Sequence, residues 1–153
     1  MKAMILAAGY GKRMMPLTEN LPKPLLKVGN ESLIERNINA LLAAGFNDII
    51  INVSYLGSMI KKHVLEIFPN TNISFSEEEI PLGTGGGVLN AIGLLGKDPF
   101  LLINADIYHQ INLKDLEQDV DIAHLVGVEN PDHNADGDFS LNSNVVSIKN
   151  NLN

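Results

Sequence analysis

A short stretch near the N-terminus combines two glycines with two cationic side chains. Gly9 and Gly11 are separated by one residue, and Lys12 and Arg13 follow directly. Glycines let backbone N–H groups approach an anion closely, and an arginine can donate two parallel hydrogen bonds to a phosphate. The stretch therefore indicates a phosphate-binding loop. It lacks the third glycine of a dinucleotide-binding fingerprint and the G-K-[ST] of a Walker A loop. The alternative is a tight turn after a strand.

A lysine between two prolines follows this loop. Pro22 and Pro24 fix the backbone on either side of Lys23. A rigid base lowers the entropy cost of holding a long cationic side chain in one place. This pattern favours a second cation that acts on a phosphate. The alternative is a solvated lysine in a proline-rich turn.

An aspartate and a glycine cluster complete the set of candidate site residues. Asp106 comes just after the apolar run 100–103. A carboxylate at the end of a strand is well placed to bind Mg²⁺. The alternative is an aspartate that only stabilises a turn. In residues 83–87 four of five positions are glycine, so that the backbone could contact a base or ribose, or form a flexible turn. The acidic residues 77–79 are either solvated or include one contact to ligand hydroxyls.

The segments between these motifs alternate between strand and helix patterns. We predict strands over residues 2–7, 49–53, 72–76, 100–104 and 122–128, helices over 33–42, 56–68 and 88–95, a helical turn at 113–116 and a hairpin over 138–148. Such alternation predicts an α/β fold with a doubly wound, mostly parallel sheet and helices on both faces. Ligands bind at the carboxyl ends of strands in such sheets, so the loops 8–24, 81–87 and 104–106 should converge on one site.

Composition excludes several classes of function. The chain has 153 residues and a net charge of −7, and residues 1–27 carry +4 while the rest carries −11. An acidic chain with one local basic patch favours a small anionic ligand and disfavours nucleic acid or an anionic membrane. No apolar run approaches the ~20 residues that span a bilayer, and we expect a cytoplasmic protein. The absence of cysteine excludes disulfides and thiol chemistry.

The motifs together resemble those of a known family. Residues 6–18 read L-A-A-G-x-G-x-R-M-x-P-L-T, and P-K-P-L follows at 22–25. This pattern resembles the signature of the sugar-phosphate nucleotidyltransferases, and residues 81–87 and 102–106 match the same family in spacing. Within that family the chain most resembles N-acetylmuramate-1-phosphate uridylyltransferases, a match supported by residues 130–139. Mannose-1-phosphate guanylyltransferases are the nearest alternative.

The resemblance implies a reaction and a phosphate-binding set. A sugar 1-phosphate, expected to be N-acetylmuramate 1-phosphate, would attack the α-phosphorus of a nucleoside triphosphate, expected to be UTP, and pyrophosphate would leave. The resemblance implies that Gly9, Gly11 and Arg13 hold the departing phosphates, with Lys12 assisting. It further implies that Lys23 bridges the α-phosphate and the sugar phosphate, and that Asp106 binds Mg²⁺.

The resemblance also implies which residues contact the nucleoside. Ala7, Ala8, Gly83 and Thr84 would contact base and ribose through their backbone. Glu78 is a weaker match, because the acidic segment aligns ambiguously with its neighbours. Residue 105 is alanine where the family usually has glycine, which would add a methyl group near the metal.

The family's greater length raises alternatives to an active enzyme. Its members are longer and supply a second metal-binding aspartate from a later region. We therefore expect residues 1–149 to form a single nucleotidyltransferase domain that is C-terminally incomplete relative to the family. We expect residues 150–153 to form a frayed tail. The alternative to an active transferase is a non-catalytic nucleotide-binding module. A third hypothesis is self-association through the apolar surface that the missing segment would cover.

Overall fold

The computed structural model describes residues 1–116, 120–142 and 145–148. The chain divides into two compact units, residues 1–118 and 119–153. The interpretation of residues 1–149 as a single domain stays a prediction, and the predicted frayed tail at 150–153 lies outside the described residues. No helix in the described ranges combines the length and hydrophobicity that a membrane-spanning helix requires.

The first unit is built on a four-stranded parallel sheet. Its elements in chain order are β1 (Lys2–Leu6), β2 (Lys27–Val28), β3 (Glu31–Ser32), α1 (Leu33–Ala43), β4 (Asp48–Val53), α2 (Gly57–Ile67), β5 (Asn72–Glu77), α3 (Gly83–Asn90), α4 (Ile92–Leu95) and β6 (Phe100–Asn104). The strand order is β5-β4-β1-β6, and every neighbouring pair is parallel. The short strands β2 and β3, which we did not predict, form a separate antiparallel pair.

Both faces of the sheet are covered by helices, as predicted. On one face Ile49 and Ile51 pack in a core with α1 and α2. On the other face Ile50 packs with Met4 of β1 and with Ala91 and Leu95 around α4. Successive side chains of a strand point to opposite faces, which is why the apolar residues 3–6 of β1 and 49–51 of β4 suit strands buried on both sides.

The predicted limits of α1 are confirmed by its end contacts. Ser32 is the N-cap: its hydroxyl accepts from the Glu35 amide, and the Glu35 carboxylate accepts from the Ser32 amide. At the C-terminus Gly45 has φ +92°, and its amide donates to Leu42 while Phe46 donates to Leu41. These bonds satisfy backbone groups that a helix end leaves free, so α1 both starts and ends where its sequence indicates.

Helix α3 begins earlier than the sequence predicts. We expected a loop up to residue 87 and a helix over 88–95, but α3 starts at Gly83 and the helix is interrupted at Ala91. Glycine has a low helix propensity. Here the Leu82 amide just before α3 donates to the Glu78 carboxylate, and Gly87 lies directly against Asn52. Long-range packing therefore outweighs local propensity.

The second unit contains a confirmed hairpin and one wrong prediction. Strands β7 (Phe139–Asn142) and β8 (Val145–Ile148) pair antiparallel, while residues 143 and 144 of their connection lie outside the described residues. The predicted strand over 122–128 is absent, because no strand of the described residues pairs with it and its apolar side chains lack a surface to cover: Ile122 is 91% exposed. In the first unit the helical turn expected at 113–116 is present as Leu113–Asp115.

Candidate active site

A cavity of about 400 Å³ lies where strands β1, β4 and β6 end. Ten of the eleven residues singled out in the sequence line it: Ala7, Ala8, Gly9, Gly11, Lys12, Arg13, Lys23, Gly83, Thr84 and Asp106. The three loops predicted to converge therefore do so, at the carboxyl edge of the sheet. The volume falls within the range of small-molecule sites, and the ligand roles of these residues stay predictions.

The glycine loop at this cavity is held by a close contact and a backbone conformation that favour glycine. Gly11 has φ +65°, and a Cβ there would lie 3.2 Å from Thr18 and 3.3 Å from the Cβ of Lys23. The buried Thr18 hydroxyl donates to the Gly11 carbonyl oxygen at 2.8 Å. Gly9, in contrast, has nothing within 4 Å of the Cβ position. Gly11 thus fixes the loop, and Gly9 leaves space beside its backbone.

The two cations of this loop have no acidic partner among the described residues. Neither Lys12 nor Arg13 forms an ion pair with any carboxylate in the part of the chain that the structure describes. Lys12 Nζ instead lies 4.9 Å from the ring centroid of Tyr10, which packs against Tyr55 at 5.5 Å. The Tyr55 hydroxyl donates to the Glu19 carbonyl at 2.7 Å. Two uncompensated cations at one cavity favour an anionic ligand.

The other two charged residues of the cavity pair with each other. Lys23 Nζ lies 2.6 Å from Asp106 Oδ2, and the two side chains are 27% and 35% exposed. Lys23 begins a single helical turn, Lys23–Leu25, directly after Pro22. This position agrees with the rigid backbone that the two prolines predict on either side of the lysine. The ion pair between Lys23 and Asp106 must therefore break before Lys23 can bind a ligand or Asp106 can bind a cation.

Asp106 is held in place by an asparagine that the sequence analysis missed. The Nδ2 atom of buried Asn37, on α1, lies 3.2 Å from the carbonyl oxygens of both Ala105 and Ile107, the residues on either side of Asp106. Its sequence signal is a polar residue within the apolar face of α1, which could have indicated a buried hydrogen-bonding role for Asn37. The methyl group of Ala105 is fully buried in the main core.

Glu78 is the one singled-out residue that does not line the cavity. It is 7% exposed, and its two oxygens accept hydrogen bonds from Asn52 Nδ2 at 2.7 Å and from the Leu82 amide at 2.8 Å. Asn52 lines the cavity and was also missed, as was Asn104. Asn104 is the single polar residue of β6, and Asn52 interrupts the apolar run 49–53 in β4. A polar residue near the carboxyl end of a mostly apolar strand is the pattern that could have revealed them.

The cavity can hold a metal ion only with help from a ligand. Among the described residues no three His, Asp or Glu side chains gather in a group suited to a metal. Asp106 supplies the single carboxylate of the cavity lining. One carboxylate fits Mg²⁺, because that ion commonly binds to one or two carboxylates, waters and substrate phosphates. The histidine nearest to acidic groups, His63, contacts Ser32 and Glu35 instead.

A family model described as Nucleotidyl transferase matches residues 2–126. The chain belongs to this nucleotidyl transferase family. It is 45% identical over 149 residues to the N-acetylmuramate alpha-1-phosphate uridylyltransferase of Neisseria meningitidis serogroup B, covering 92% of this chain and 64% of the relative. It is 43% identical over 122 residues to the mannose-1-phosphate guanyltransferase of Schizosaccharomyces pombe, covering 76% of this chain and 33% of the relative.

Solved structures of this nucleotidyl transferase family share the fold. The crystal structure of HddC from Yersinia pseudotuberculosis complexed with GMP-PN matches with a TM-score of 0.66 and 32% identity, covering 74% of this chain and 51% of that one. The predicted Rossmann-like α/β fold class is therefore confirmed. The chain spans about two thirds or less of the length of these family members.

Proposed function

We propose that this nucleotidyl transferase family member transfers a nucleotidyl group from a nucleoside triphosphate to a sugar 1-phosphate and releases pyrophosphate. The observation that carries the proposal is the charge arrangement of the cavity. Unpaired Lys12 and Arg13 lie on a glycine loop, and the paired Lys23 and Asp106 lie in the same cavity. This set can bind a polyphosphate and a second phosphate together.

In the proposed reaction a phosphate oxygen of the sugar 1-phosphate attacks the α-phosphorus of the triphosphate. A new phosphorus–oxygen bond forms, the bond to the bridging oxygen of the β-phosphate breaks, and pyrophosphate leaves with that electron pair. Arg13 and the backbone amides of Gly9 and Gly11 hold the β- and γ-phosphates. Lys23 contacts the α-phosphate and the sugar phosphate and lowers their repulsion. The protein contributes orientation and charge neutralisation.

Asp106 is the residue that would hold Mg²⁺, which when bound supplies further neutralisation of phosphate charge. Asn37 supports this role because it holds the backbone on both sides of the carboxylate. Backbone groups at Ala8, Gly83 and Thr84 line the same cavity and would contact base and ribose. The Ala7 amide already donates to Asn52 at 2.7 Å, so this amide would not serve the ligand unless it left Asn52.

We further propose UTP as the nucleotide and N-acetylmuramate 1-phosphate as the sugar phosphate. The uridylyltransferase relative supports this choice, because the similarity extends over 92% of the chain. A mannose-1-phosphate guanylyltransferase-like specificity is the second candidate, favoured by 43% identity over 122 residues. The cytoplasmic location, the lack of nucleic-acid or membrane partners and the self-association predicted from the sequence belong to this proposal as well.

A matrix of substrates tests the proposal directly. UTP, GTP and CTP are each combined with N-acetylmuramate 1-phosphate or mannose 1-phosphate, with Mg²⁺ or with EDTA, and pyrophosphate is measured. We expect release with UTP and N-acetylmuramate 1-phosphate in Mg²⁺ alone. Pyrophosphate from GTP and mannose 1-phosphate only would replace the substrate assignment with the second candidate.

Two lysine variants separate the site from general charge effects. Lys23→Ala removes a cavity cation, and Lys27→Ala removes an exposed lysine of β2 that does not line the cavity. We expect Lys23→Ala to lower the rate of release by about a hundredfold or more and Lys27→Ala to preserve it. The alternative function is a non-catalytic nucleotide-binding module, which is supported by the presence of a single carboxylate in the cavity lining. Calorimetry that shows triphosphate binding, together with no turnover for any substrate pair, would favour this alternative.

A further inference from the structure

One continuous hydrogen-bond relay joins two walls of the cavity. The Ala7 amide, just after β1, donates to Asn52 Oδ1 at 2.7 Å. Asn52 Nδ2 donates to Glu78 Oε1 at 2.7 Å, and Glu78 Oε2 accepts from the Leu82 amide at 2.8 Å. Leu82 directly precedes Gly83 and Thr84 on the opposite wall. The two walls are thus connected through two side chains.

The relay is buried and closely packed. Asn52 is 2% exposed and Glu78 is 7% exposed, so neither can exchange its partners freely for water. A Cβ on Gly87 would lie 2.6 Å from Asn52 Nδ2 and 2.9 Å from Glu78 Oε1, so helix α3 lies directly against the pair. No cation pairs with Glu78 in the described part of the chain, and its carboxylate is stabilised by N–H donors. Buried polar groups of this kind tolerate few alternative arrangements.

We infer that Asn52 and Glu78 are positioning residues that set the separation of the two walls and so determine how tightly a nucleoside triphosphate binds. The inference rests on the proposed function and deepens it. It also changes the role of Glu78 from a ligand contact, as the family resemblance implied, to a residue that acts through Leu82 and the start of α3. Glu78 acts together with Asn52, which connects it to Ala7.

The direction of each hydrogen bond makes the inference testable by exchange of chemical groups. Glu78→Gln replaces one of two accepting oxygens with an NH₂ group, which must face either the Leu82 amide or the NH₂ group of Asn52. Turning the Asn52 amide over only moves the conflict to the Ala7 amide. Asn52→Asp brings two carboxylates together. In the double variant Asn52→Asp/Glu78→Gln, the carboxylate at position 52 accepts from the Ala7 backbone amide and from the side-chain NH₂ group at position 78. The side-chain oxygen at position 78 accepts from the Leu82 backbone amide. Every bond is restored, and the net charge is that of the original chain.

The experiment measures UTP binding by calorimetry with the full chain at a temperature where circular dichroism shows each variant folded. We expect each single variant to weaken binding by about tenfold or more, because Glu78→Gln leaves one buried hydrogen-bonding group unsatisfied, Asn52→Asp places two carboxylates together, and either change shifts the walls. We expect the double variant to bind within about threefold of the original chain. Ser32→Ala is the control, because it removes a buried hydrogen-bonding group at α1 that does not line the cavity; it should lower the melting temperature and leave UTP binding unchanged.

Hydrogen–deuterium exchange gives a second readout that needs no nucleotide. The amides of residues 82–84 should exchange faster in each single variant and return to the original rate in the double variant. Single variants with lower melting temperatures but original UTP affinity and exchange would overturn the inference, as would a double variant no better than the worse single one. If the original chain binds UTP without turnover, the proposed function fails, and the UTP affinities and exchange rates of the variants still decide the inference. If the original chain binds no triphosphate, both the proposed function and the inference fail.

Discussion

Replacing Gly11 with alanine changes both the backbone energy and the space beside the loop. The left-handed conformation at φ +65° costs a residue with a Cβ about 1–2 kcal/mol. The new Cβ would lie 3.2 Å from two carbon atoms of Thr18 and 3.3 Å from the Cβ of Lys23, which forces a small displacement of the loop and adds about 1 kcal/mol. Alanine also lowers the entropy of the unfolded chain, which offsets about 0.4–1 kcal/mol. We expect a net loss of about 2 kcal/mol in the free energy of unfolding.

The matched variant is Gly9→Ala in the same loop. Gly9 has no atom within 4 Å of the Cβ position and no positive φ, so its free energy of unfolding should change by about 0.5 kcal/mol or less. The assay is urea and thermal unfolding followed by circular dichroism, with UTP binding measured on the folded proteins. Gly11→Ala should lower the melting temperature by about 4–8 °C. Equal melting temperatures for the two variants would refute the reasoning.

Three further predictions follow from other contacts. Lys23→Ala should change the free energy of unfolding by about 1 kcal/mol or less, because its ion pair is partly exposed, while activity falls by about a hundredfold or more; a parallel loss of both would contradict this. Asn37→Leu should raise the Mg²⁺ concentration needed for half-maximal activity, measured by titration against the original chain. Burial raises the pKa of Glu35, but hydrogen bonds from the Ser32 amide and hydroxyl and the contact with His63 outweigh it, so this pKa lies below its usual 4.5. The contribution of ionised Glu35 to the free energy of unfolding is therefore complete above pH 4.5 and is lost as the pH falls through the lowered pKa. Glu35→Gln should flatten this decline of stability, which acid unfolding curves measure.

Local sequence signals were sufficient where the determining interactions are local. The capping pair Ser32 and Glu35 predicted the start of α1, and the apolar runs of β1 and β4 predicted strands buried on both faces. The same signals failed over residues 122–128, where an apolar pattern pairs with no strand in the described ranges. A strand depends on a neighbour that its own residues do not specify.

The site was predictable to a similar extent. Its loops carry unusual residue types at short spacing, and those residues do line one cavity. Asn37 and Asn52 were not found, because each acts on backbone groups 45 to 70 positions away in the chain. Glu78 was singled out for a ligand contact, and its hydrogen bonds instead lead to Asn52 and Leu82. Such partners become visible only when the chain is folded.

The tyrosine pair beside the glycine loop gives this protein an optical signal of its own. The chain has no tryptophan and three tyrosines, so its intrinsic fluorescence comes from tyrosine alone. Tyr10 lines the cavity and contacts both Tyr55 and the Lys12 ammonium, while Tyr108 packs against Arg36. Any anion that draws Lys12 away from the Tyr10 ring alters the surroundings of one of three emitters. Ligand titrations can therefore be followed on the unlabelled chain.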